Sequence, residues 1–327
     1  MLLLTLAIAV AVLGLNAPAL AAKNSLKITS YYAPSHPVSK SIEFFKETLE
    51  KESKGRFDVQ YFPQSQLGGE EVFIDLVKRG SIQMGISGGL AKKDEILLML
   101  VEPPFVIETW KQAYAAYNGP LAEKIKGNYT KNTGVLMPGF MVNGFRVISS
   151  SKPATNMDEL GKLKLRVPTT ELYVKMFQGF GCNTVMMPLP EVYTAMETKV
   201  VDGQDNPYPT VVASGFWEVQ KYMLESRHMF TANPVLLNGK FYDGLSAEDK
   251  AVLDKCVKAM IDHNWKISEQ ADNESKQFLI DKGLQVHVPS PEFRKQMKDS
   301  LKEMFAWFYQ AAPGSEEVIA AMEKLPK

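Results

Sequence analysis

Apolar positions in the amino-terminal part of the chain alternate between strand-like and helix-like spacing. Residues 26–29 and 57–62 follow the two-residue alternation of strands, and 82–86 forms a third apolar segment. Between the first two segments, apolar side chains recur every three or four residues: Val38, Ile42, Phe45 and Leu49. Gly55 and Gly80 end the two predicted helices. Strands that alternate with helices in this way predict parallel βαβ units and therefore an α/β fold.

The same alternation resumes in the second half of the chain. The apolar segment 135–142 and the strand candidate 145–148 flank Asn143-Gly144, which we interpret as a crossing between two domains. Residues 163–209 then contain a strand that ends at Arg166-Val167, a helix, a second strand, a second helix and a Gly-Gln-Asp-Asn-Pro turn. With 327 residues, the chain is long enough for two domains that each have a core.

A long segment near the carboxyl terminus indicates how the two domains are joined. Ser246 and Asp249 resemble a helix-capping box, Gly283 is a natural helix end, and the 36 residues between Ser246 and Gly283 contain neither glycine nor proline. An unbroken helix of that length runs about 54 Å, whereas a compact domain of about 150 residues is about 40 Å across. We therefore predict one helix that spans both domains.

The amino terminus has the pattern of a secretory signal. Residues 1–21 carry no charged side chain, and a long apolar segment leads through Pro18 to an Ala-Leu-Ala cleavage site. A membrane span is the alternative that the length permits. We predict a cleaved signal peptide, a mature chain that starts at Ala22, and a periplasmic location. Export permits a disulfide, but we predict that Cys182 and Cys256 are free, buried thiols.

Composition narrows the classes of partner. Lys+Arg and Asp+Glu both number 37, so the formal net charge is zero, and no basic stripe suits nucleic acid. With 45% hydrophobic and 23% charged residues, the chain is typical of a soluble globular protein. The four histidines and two cysteines lack metal-binding spacing, and no phosphate-binding glycine motif occurs. We expect no nucleic acid partner, no cofactor and no metal.

Arg166 is the strongest candidate for ligand binding. It stands at the carboxyl end of a predicted strand, where α/β sheets bind ligands, and its planar guanidinium matches a carboxylate with two parallel hydrogen bonds. A surface salt bridge at a strand end is the alternative. Loops of the same unit bring Gln204 and Asn206 near it, and both amides suit a carboxylate and its neighbouring hydroxyls.

Three motifs of this region form a composite signal: Arg-Val-Pro at 166–168, Pro-x-x-Glu-Val-Tyr-Thr-Ala at 188–195 and Val-Asp-Gly-Gln-Asp-Asn-Pro at 201–207. Together they resemble the substrate-binding proteins of TRAP transporters, the DctP family. The resemblance implies a periplasmic binding protein-like fold with two α/β domains, a ligand cleft between them and a long domain-spanning helix. The expected boundaries are 22–143 plus about 232–271 for domain I, and 144–231 plus about 272–327 for domain II.

The same resemblance implies an extracytoplasmic solute receptor without enzymatic activity. Its expected ligand is a small organic acid: a uronate or other sugar acid, a dicarboxylate or a keto acid. The family pattern places the carboxylate on Arg166, with Asn206 beside it and Arg146 as a second arginine at the domain crossing. A hinge salt bridge is the alternative role for Arg146. The receptor, expected to be a monomer, would deliver the acid to the membrane subunits of a TRAP permease driven by an ion gradient.

The other candidate ligand-binding residues could instead have purely structural roles. Glu70, in the Ser-Gln-Leu-Gly-Gly-Glu loop that matches a family element, could accept ligand hydroxyls or stabilise a helix amino terminus through the helix dipole. Gln204 could simply brace its turn. Aromatic side chains could form the walls of the cleft or belong to the core: Tyr31, Tyr32, Tyr173, Tyr208 and Trp217.

Two other functions stay open at this point. The segment 85–89, Gly-Ile-Ser-Gly-Gly, fits the G-x-S-x-G pattern after a predicted strand, so Ser87 could be the nucleophile of a periplasmic serine hydrolase. The residues that follow it are a poor helix, and the later histidines have no obvious acidic partner. A receptor of the same fold could also present its ligand to a membrane kinase as a sensor.

Overall fold

We describe the protein as a computed structural model that covers residues 23–327. The predicted signal peptide, residues 1–21, and the predicted mature start at Ala22 lie outside the described residues. The strands are β1 (Asn24–Ser30), β2 (Phe57–Phe62), β3 (Met84–Ile86), β4 (Val135–Leu136), β5 (Phe140–Phe145), β6 (Val147–Ser150), β7 (Lys164–Val167), β8 (Asn183–Met186), β9 (Gly203–Asn206), β10 (Tyr222–Leu224), β11 (Phe230–Asn238) and β12 (Gln285–His287).

The helices connect these strands or cover their faces. They are α1 (Pro37–Glu52), α2 (Glu70–Arg79), α3 (Trp110–Tyr117), α4 (Pro120–Thr133), α5 (Met157–Gly161), α6 (Glu171–Gly179), α7 (Val192–Glu197), α8 (Tyr208–Ala213), α9 (Gly239–Asp243), α10 (Ala247–Asp281), α11 (Pro291–Asp299), α12 (Lys302–Ala311) and α13 (Ser315–Glu323). Short 3₁₀ segments occupy Leu90–Lys93, Ile96–Val101, Leu189–Glu191 and Phe216–Glu218.

The first sheet has six strands, in the order β2-β1-β3-β11-β4 with β5 paired to β11. β1 pairs in parallel with β2 and β3, whereas β11 runs antiparallel to β3, β4 and β5. Helix α1 connects β1 to β2. Pro37 opens this helix, the His36 ring accepts a hydrogen bond from the Val38 amide, and the predicted apolar stripe is buried. The βαβ pattern of the amino-terminal half is therefore confirmed.

The second sheet also has six strands, in the order β12-β10-β6-β9-β7-β8. β7 runs parallel to both β8 and β9, so the carboxyl ends of β7 and β9 lie at the same edge of the sheet. β6 runs antiparallel to β9 and to β10. This arrangement brings the residues at the ends of β7 and β9 close together, although they are far apart in the sequence.

The predicted Gly-Gln-Asp-Asn-Pro turn is wrong. Gly203–Asn206 forms the buried strand β9 between β6 and β7. A Cβ atom at Gly203 would lie 2.0 Å from the Ser149 carbonyl oxygen, so this close strand pairing requires glycine. The polar composition indicated a turn, but Gln204 bonds Ser149 of the neighbouring strand β6, and Asp205 bonds Arg146 and His228. That tertiary pairing outweighs local propensity.

The crossing predicted at Asn143-Gly144 falls within the last strand before the second sheet. Both residues belong to β5, and the chain passes to the second sheet at Arg146, between β5 and β6. The pairing of β5 with β11 shifts register between Thr231 and Ala232, which leaves Asn143 without a partner residue. Gly144 has a φ of +113°, in the region that favours glycine. The Asn-Gly pair therefore marks a β-bulge within the crossing strands.

Helix α10 confirms the predicted long helix. It runs for 35 residues, its cap Ser246 accepts a hydrogen bond from the Asp249 amide, and Gly283 follows it in the left-handed conformation. The helix packs against α1, which covers the first sheet, and against α8, which follows β9 of the second sheet. It therefore spans both halves of the molecule. Even with α10 included, no helix within residues 23–327 has both the length and the apolar character that crossing a bilayer requires.

The two cysteines behave as predicted. Cys182 and Cys256 are both buried, and neither forms a disulfide. Cys256 lies on the buried face of α10 with Leu253 and Met260. Burial raises the pKa of the Cys182 thiol to about 12, so this thiol is protonated at neutral pH and unreactive.

Candidate functional site

A cavity of about 270 Å³ lies between the two sheets. Loops that follow β1, β2 and β3 line it from the first sheet, and loops that follow β7 and β8 line it from the second. Its polar lining residues are Tyr31, Ser65, Glu70, Glu71, Glu102, Arg146, Arg166, Thr169, Thr170, Tyr173, Asn206 and Thr231. The cavity thus brings together six of the predicted site residues: Arg146, Arg166, Asn206, Glu70, Tyr31 and Tyr173.

Arg166 is buried in the wall of this cavity without an acidic partner. Its relative exposure is 4%, and its Nε donates a hydrogen bond to the Met187 carbonyl oxygen at 2.9 Å. Within residues 23–327 its guanidinium makes no ion pair. Burial lowers the pKa of Arg166 to about 10, although the more distant Asp205 carboxylate opposes that change. The folded protein therefore holds a desolvated positive charge that an anion would stabilise.

Arg146 lines the same cavity, but its charge is already compensated. Its Nε donates to Asp205 Oδ2 at 2.5 Å, and a terminal amino group donates to the Asp205 carbonyl oxygen. The other terminal amino group donates to Thr231 Oγ1 at 3.4 Å. Burial lowers the pKa of Arg146, but the Asp205 carboxylate raises it by more, so the net change is upward. Arg146 thus forms the salt bridge predicted as its alternative role and also lines the cavity, so both predicted roles are compatible with its position.

Asp205 is the acidic residue that pairs with this arginine, and it was not among the predicted site residues. Its side chain is fully buried, and Oδ2 also lies 3.3 Å from Nε2 of His228. Nδ1 of that ring is 2.7 Å from the Ser226 hydroxyl. Because burial lowers the pKa of His228, its ring is neutral: Nε2–H donates to Asp205, and Nδ1 accepts from Ser226. Burial raises the pKa of Asp205, but Arg146 and His228 lower it by more, so it is ionised.

Asn206 and Gln204 lie at different depths relative to the cavity. Alternation along β9 places both on one face of the strand and Asp205 on the other. Asn206 lines the cavity, and its Nδ2 donates to Gln204 Oε1 at 2.5 Å. Gln204 is fully buried outside the cavity lining, and its Nε2 donates to Ser149 Oγ at 2.9 Å. Gln204 therefore holds Asn206 in place from within the sheet.

Two of the tyrosines lie at the cavity. The Tyr173 hydroxyl donates to Glu102 Oε2 at 3.0 Å, and its ring lies 4.9 Å from the guanidinium carbon of Arg146. Tyr31 also lines the cavity, and its hydroxyl donates to that of Tyr32 at 3.0 Å. A Cβ at Gly88 would lie 2.3 Å from the Tyr31 hydroxyl oxygen, so the glycine makes room for it. Burial raises the pKa of both Tyr31 and Tyr173, which are neutral donors.

Three of the predicted aromatic contacts lie away from the cavity. Tyr32 is buried behind Tyr31, and its hydroxyl donates to Asn233 Oδ1 at 3.1 Å. Tyr208 belongs to the apolar core of the second sheet. Trp217 packs edge-on against Phe278, with ring centroids 5.6 Å apart. The interpretation of these side chains as core residues therefore matches their positions better than the cleft interpretation.

Glu70 and Ser87 are hydrogen-bonded to each other on the side of the cavity that the first sheet forms. Glu70 Oε1 accepts hydrogen bonds from Ser87 Oγ at 2.6 Å, from the Gly88 amide at 2.7 Å and from the Leu90 amide at 2.9 Å. Glu70 lines the cavity and also stands in the first turn of α2, so both predicted roles are compatible with its position. Ser87 is fully buried and directs its hydroxyl to a carboxylate, which gives the hydrolase hypothesis no support.

Several lining residues were missed in the sequence. Thr169 and Thr170 directly follow the Arg-Val-Pro motif at the carboxyl end of β7, and that position was the available signal. Glu102 and Thr231 reach the cavity from segments with no recognisable motif. Across the described range 23–327, no three His, Cys, Asp or Glu side chains are grouped so that they could hold a metal ion.

The fold and the cavity define a two-domain α/β binding protein with a small-molecule site between its sheets. Residues 28–311 match the sequence profile of DctP, bacterial extracellular solute-binding protein family 7, and the protein belongs to this family. The predicted family and the predicted periplasmic binding protein-like fold are therefore confirmed.

Three relatives illustrate the family. The C4-dicarboxylate-binding periplasmic protein DctP of Rhodobacter capsulatus is 28% identical over 274 residues, which cover 83% of this chain and 82% of that protein. A TRAP periplasmic solute binding protein of Haemophilus influenzae, solved with bound L-gulonate, has a TM-score of 0.87 at 30% identity and covers 92% of this chain and 99% of the other. The sugar acid binding protein DctPAm of Advenella mimigardefordensis, solved with galactonate, has a TM-score of 0.89 at 26% identity, with coverages of 93% and 98%.

Proposed function

We propose that the protein is the periplasmic receptor of a TRAP transporter and binds a small organic acid in the cavity between its sheets. Arg166 binds the carboxylate, and Asn206 and Tyr173 contact the same ligand. The receptor performs no chemistry on the acid. It works as a monomer and delivers the acid to the membrane subunits of a permease driven by an ion gradient.

The observation that carries this proposal is the uncompensated charge of Arg166. A guanidinium that is only 4% exposed and has no ion-pair partner destabilises a folded protein unless a ligand offsets that cost. Nε is engaged with Met187, so the two terminal amino groups remain for a bidentate contact with a carboxylate. The cavity volume of about 270 Å³ equals the liquid volume of about nine water molecules, which suits a small acid.

The relatives support the same ligand chemistry. The names and bound molecules of the three proteins above are C4-dicarboxylate, L-gulonate and galactonate, and each of these carries a carboxylate. The position of Arg166 at the carboxyl end of β7 also follows the general rule for ligand sites in α/β sheets. We extend the proposal to the domain boundaries, with 22–143 plus about 232–271 as domain I and the remainder of the mature chain as domain II.

The test is a ligand screen followed by calorimetry. Purified mature protein is heated with single members of an organic-acid library, because a ligand that binds the folded state raises its melting temperature. We expect carboxylic acids to raise the melting temperature and the matching uncharged alcohols and amides to leave it unchanged. A library in which no carboxylic acid shifts the transition, or in which neutral analogues shift it equally, would overturn the proposal.

A further inference from the structure

We propose that His36 is a positioning residue for the cavity. Its ring hydrogen-bonds the strand that crosses from the first sheet to the second, and it also contacts a helix that follows the second sheet. His36 lies outside the cavity lining, so it acts through other residues. The inference rests on the proposed function, because it concerns the affinity of the same cavity.

His36 is buried and neutral, and its tautomer follows from its partners. The side chain is 1% exposed and caps helix α1, where Nδ1 accepts a hydrogen bond from the Val38 amide at 3.1 Å. Burial lowers the pKa of His36 to about 3, although its hydrogen bond to Asn143 opposes that change. A neutral imidazole carries one ring proton. Because Nδ1 accepts, Nε2 carries that proton and is the donor.

The side-chain oxygen of Asn143 is the acceptor for two donors. His36 Nε2 lies 3.0 Å from Asn143 Oδ1, and the Thr210 hydroxyl donates to the same oxygen at 3.0 Å. The ring nitrogen and that hydroxyl are 3.2 Å apart. All three side chains are buried, and separating buried hydrogen-bonded groups is costly because water does not replace the lost partner. We call His36, Asn143 and Thr210 the crossing junction.

The crossing junction joins three separate parts of the fold. His36 precedes α1 of the first sheet, Asn143 belongs to the crossing strand β5, and Thr210 belongs to α8, which follows β9 of the second sheet. At Asn143 the register of β5 against β11 shifts, and a β-bulge redirects a side chain out of the regular ladder. The redirected Asn143 amide contacts a residue from each half of the molecule.

Each end of the crossing junction also leads to a residue that lines the cavity. On the first-sheet side, the His36 ring stacks on Tyr32 with ring centroids 4.1 Å apart, and the Tyr32 hydroxyl accepts a hydrogen bond from the lining residue Tyr31. On the second-sheet side, Thr210 stands in the first turn of α8, four residues after the lining residue Asn206. The crossing junction therefore fixes the position of one wall relative to the other.

A ligand that contacts both walls binds most tightly when the walls already have the correct separation. If only a fraction of the molecules has that arrangement, the apparent affinity falls by the same fraction. One buried hydrogen bond contributes about 1 kcal/mol to an equilibrium. Loss of the His36 bond should therefore weaken binding about fivefold to tenfold, although no ligand contact is removed.

Two substitutions of His36 separate its contact with Asn143 from its role as a helix cap. Asparagine keeps an acceptor for the α1 amide but is too short to reach Asn143, whereas glutamine places a donor near the position of Nε2. Titration calorimetry with galactonate, L-gulonate and succinate identifies the probe that the wild-type protein binds most tightly. His36→Asn should bind this probe about fivefold to tenfold more weakly. His36→Gln should recover most of that loss but melt at a lower temperature.

The opposite order would overturn the inference: full affinity in His36→Asn, with the loss confined to His36→Gln, would make the ring a helix cap only. Thr210→Val removes the second donor to the same oxygen, so its effect and that of His36→Asn should overlap in the double variant. Fully additive losses would contradict a single junction. Thr198→Val is the control, because Thr198 is exposed and its hydroxyl bonds the Thr194 carbonyl oxygen.

A measurement without ligand tests the same idea and separates it from the proposed function. Helices α2 and α6 begin at opposite walls of the cavity, so spin labels at Asp75→Cys and Gln178→Cys, both exposed positions, report the distance between the walls. In double electron–electron resonance, His36→Asn should broaden the distance distribution and His36→Gln should restore it. Identical distributions in all three proteins would refute the positioning role. If no probe binds the wild-type protein, the proposed function fails, and this measurement still decides the role of His36.

Discussion

Replacement of Arg166 by glutamine should abolish ligand binding and at the same time stabilise the ligand-free protein. The guanidinium is 4% exposed and has no acidic partner within residues 23–327. Burial lowers its pKa to about 10, well below the ordinary value for arginine. Because a tenfold change in a protonation equilibrium corresponds to about 1.4 kcal/mol, the buried charge costs the folded protein roughly 3 kcal/mol.

Glutamine removes that charge but also loses some packing and the hydrogen bond to Met187. A lost hydrogen bond costs about 1 kcal/mol, so we expect a net gain of about 1–2 kcal/mol in the free energy of unfolding. For a chain of this size, that gain corresponds to a melting temperature higher by about 2–3 °C. Ligand binding should weaken by about 3–5 kcal/mol, which is a loss of about 10²-fold to 10³-fold or more in affinity, because the ligand carboxylate loses its buried partner.

Scanning calorimetry without ligand and titration calorimetry with a bound acid measure the two effects separately. Arg166→Lys should restore part of the affinity, since an ammonium keeps the charge but lacks the two-pronged geometry. Arg79→Gln is the matched control, because that side chain is 75% exposed and pairs loosely with Asp75. A ligand-free Arg166→Gln protein that melts several degrees lower and keeps its affinity would refute this account and make Arg166 a structural residue.

Three further predictions follow from the same structure. Asp205→Asn leaves Arg146 buried without its counter-ion, so the free energy of unfolding, measured by urea denaturation, should fall by about 3–5 kcal/mol. Asp262→Asn, at an exposed ion pair, is the control and should change it little. An unchanged urea midpoint for Asp205→Asn would contradict this prediction. Burial raises the pKa of Asp272 from 3.8 to about 7. The folded state therefore binds more protons than the unfolded state between about pH 4 and pH 7, and its stability falls by up to about 4 kcal/mol as the pH rises through that range. Asp272→Asn should remove this decline, and parallel pH profiles of the two proteins would count against it. Finally, a ligand that touches both sheets favours their closed arrangement, so solution scattering should show a smaller radius of gyration with a bound acid; an equal radius at saturation would exclude a hinged receptor.

Features that depend on one local segment could be predicted from the sequence. The length of α10 follows from its cap at Ser246, its end near Gly283 and the absence of helix-breaking residues between them. The apolar stripe of α1 has the spacing of one helix face. Arg166 was identified because the strand, the proline that ends it and the family motifs lie within one short stretch of chain.

The roles of the remaining site residues depend on contacts between distant segments. Arg146 and Arg166 look alike in the sequence, yet one is neutralised and the other is not, because Asp205 lies beside Arg146 although the two are 59 residues apart. The same β9 pairing turned a predicted turn into a buried strand and moved Gln204 behind Asn206. Tyr31 reaches the cavity and Tyr32 does not, because adjacent side chains at the end of a strand point in different directions.

The sequence by itself therefore determined the fold class, the spanning helix and the position of the arginine that we propose as the carboxylate ligand, since each is encoded by periodicity, caps or a continuous motif. The tertiary structure decided which arginine has an ion-pair partner and which side chains reach the cavity. The physical reason is that burial and ion pairing depend on distances in space, and the strand order of the second sheet, not the order of residues along the chain, sets those distances.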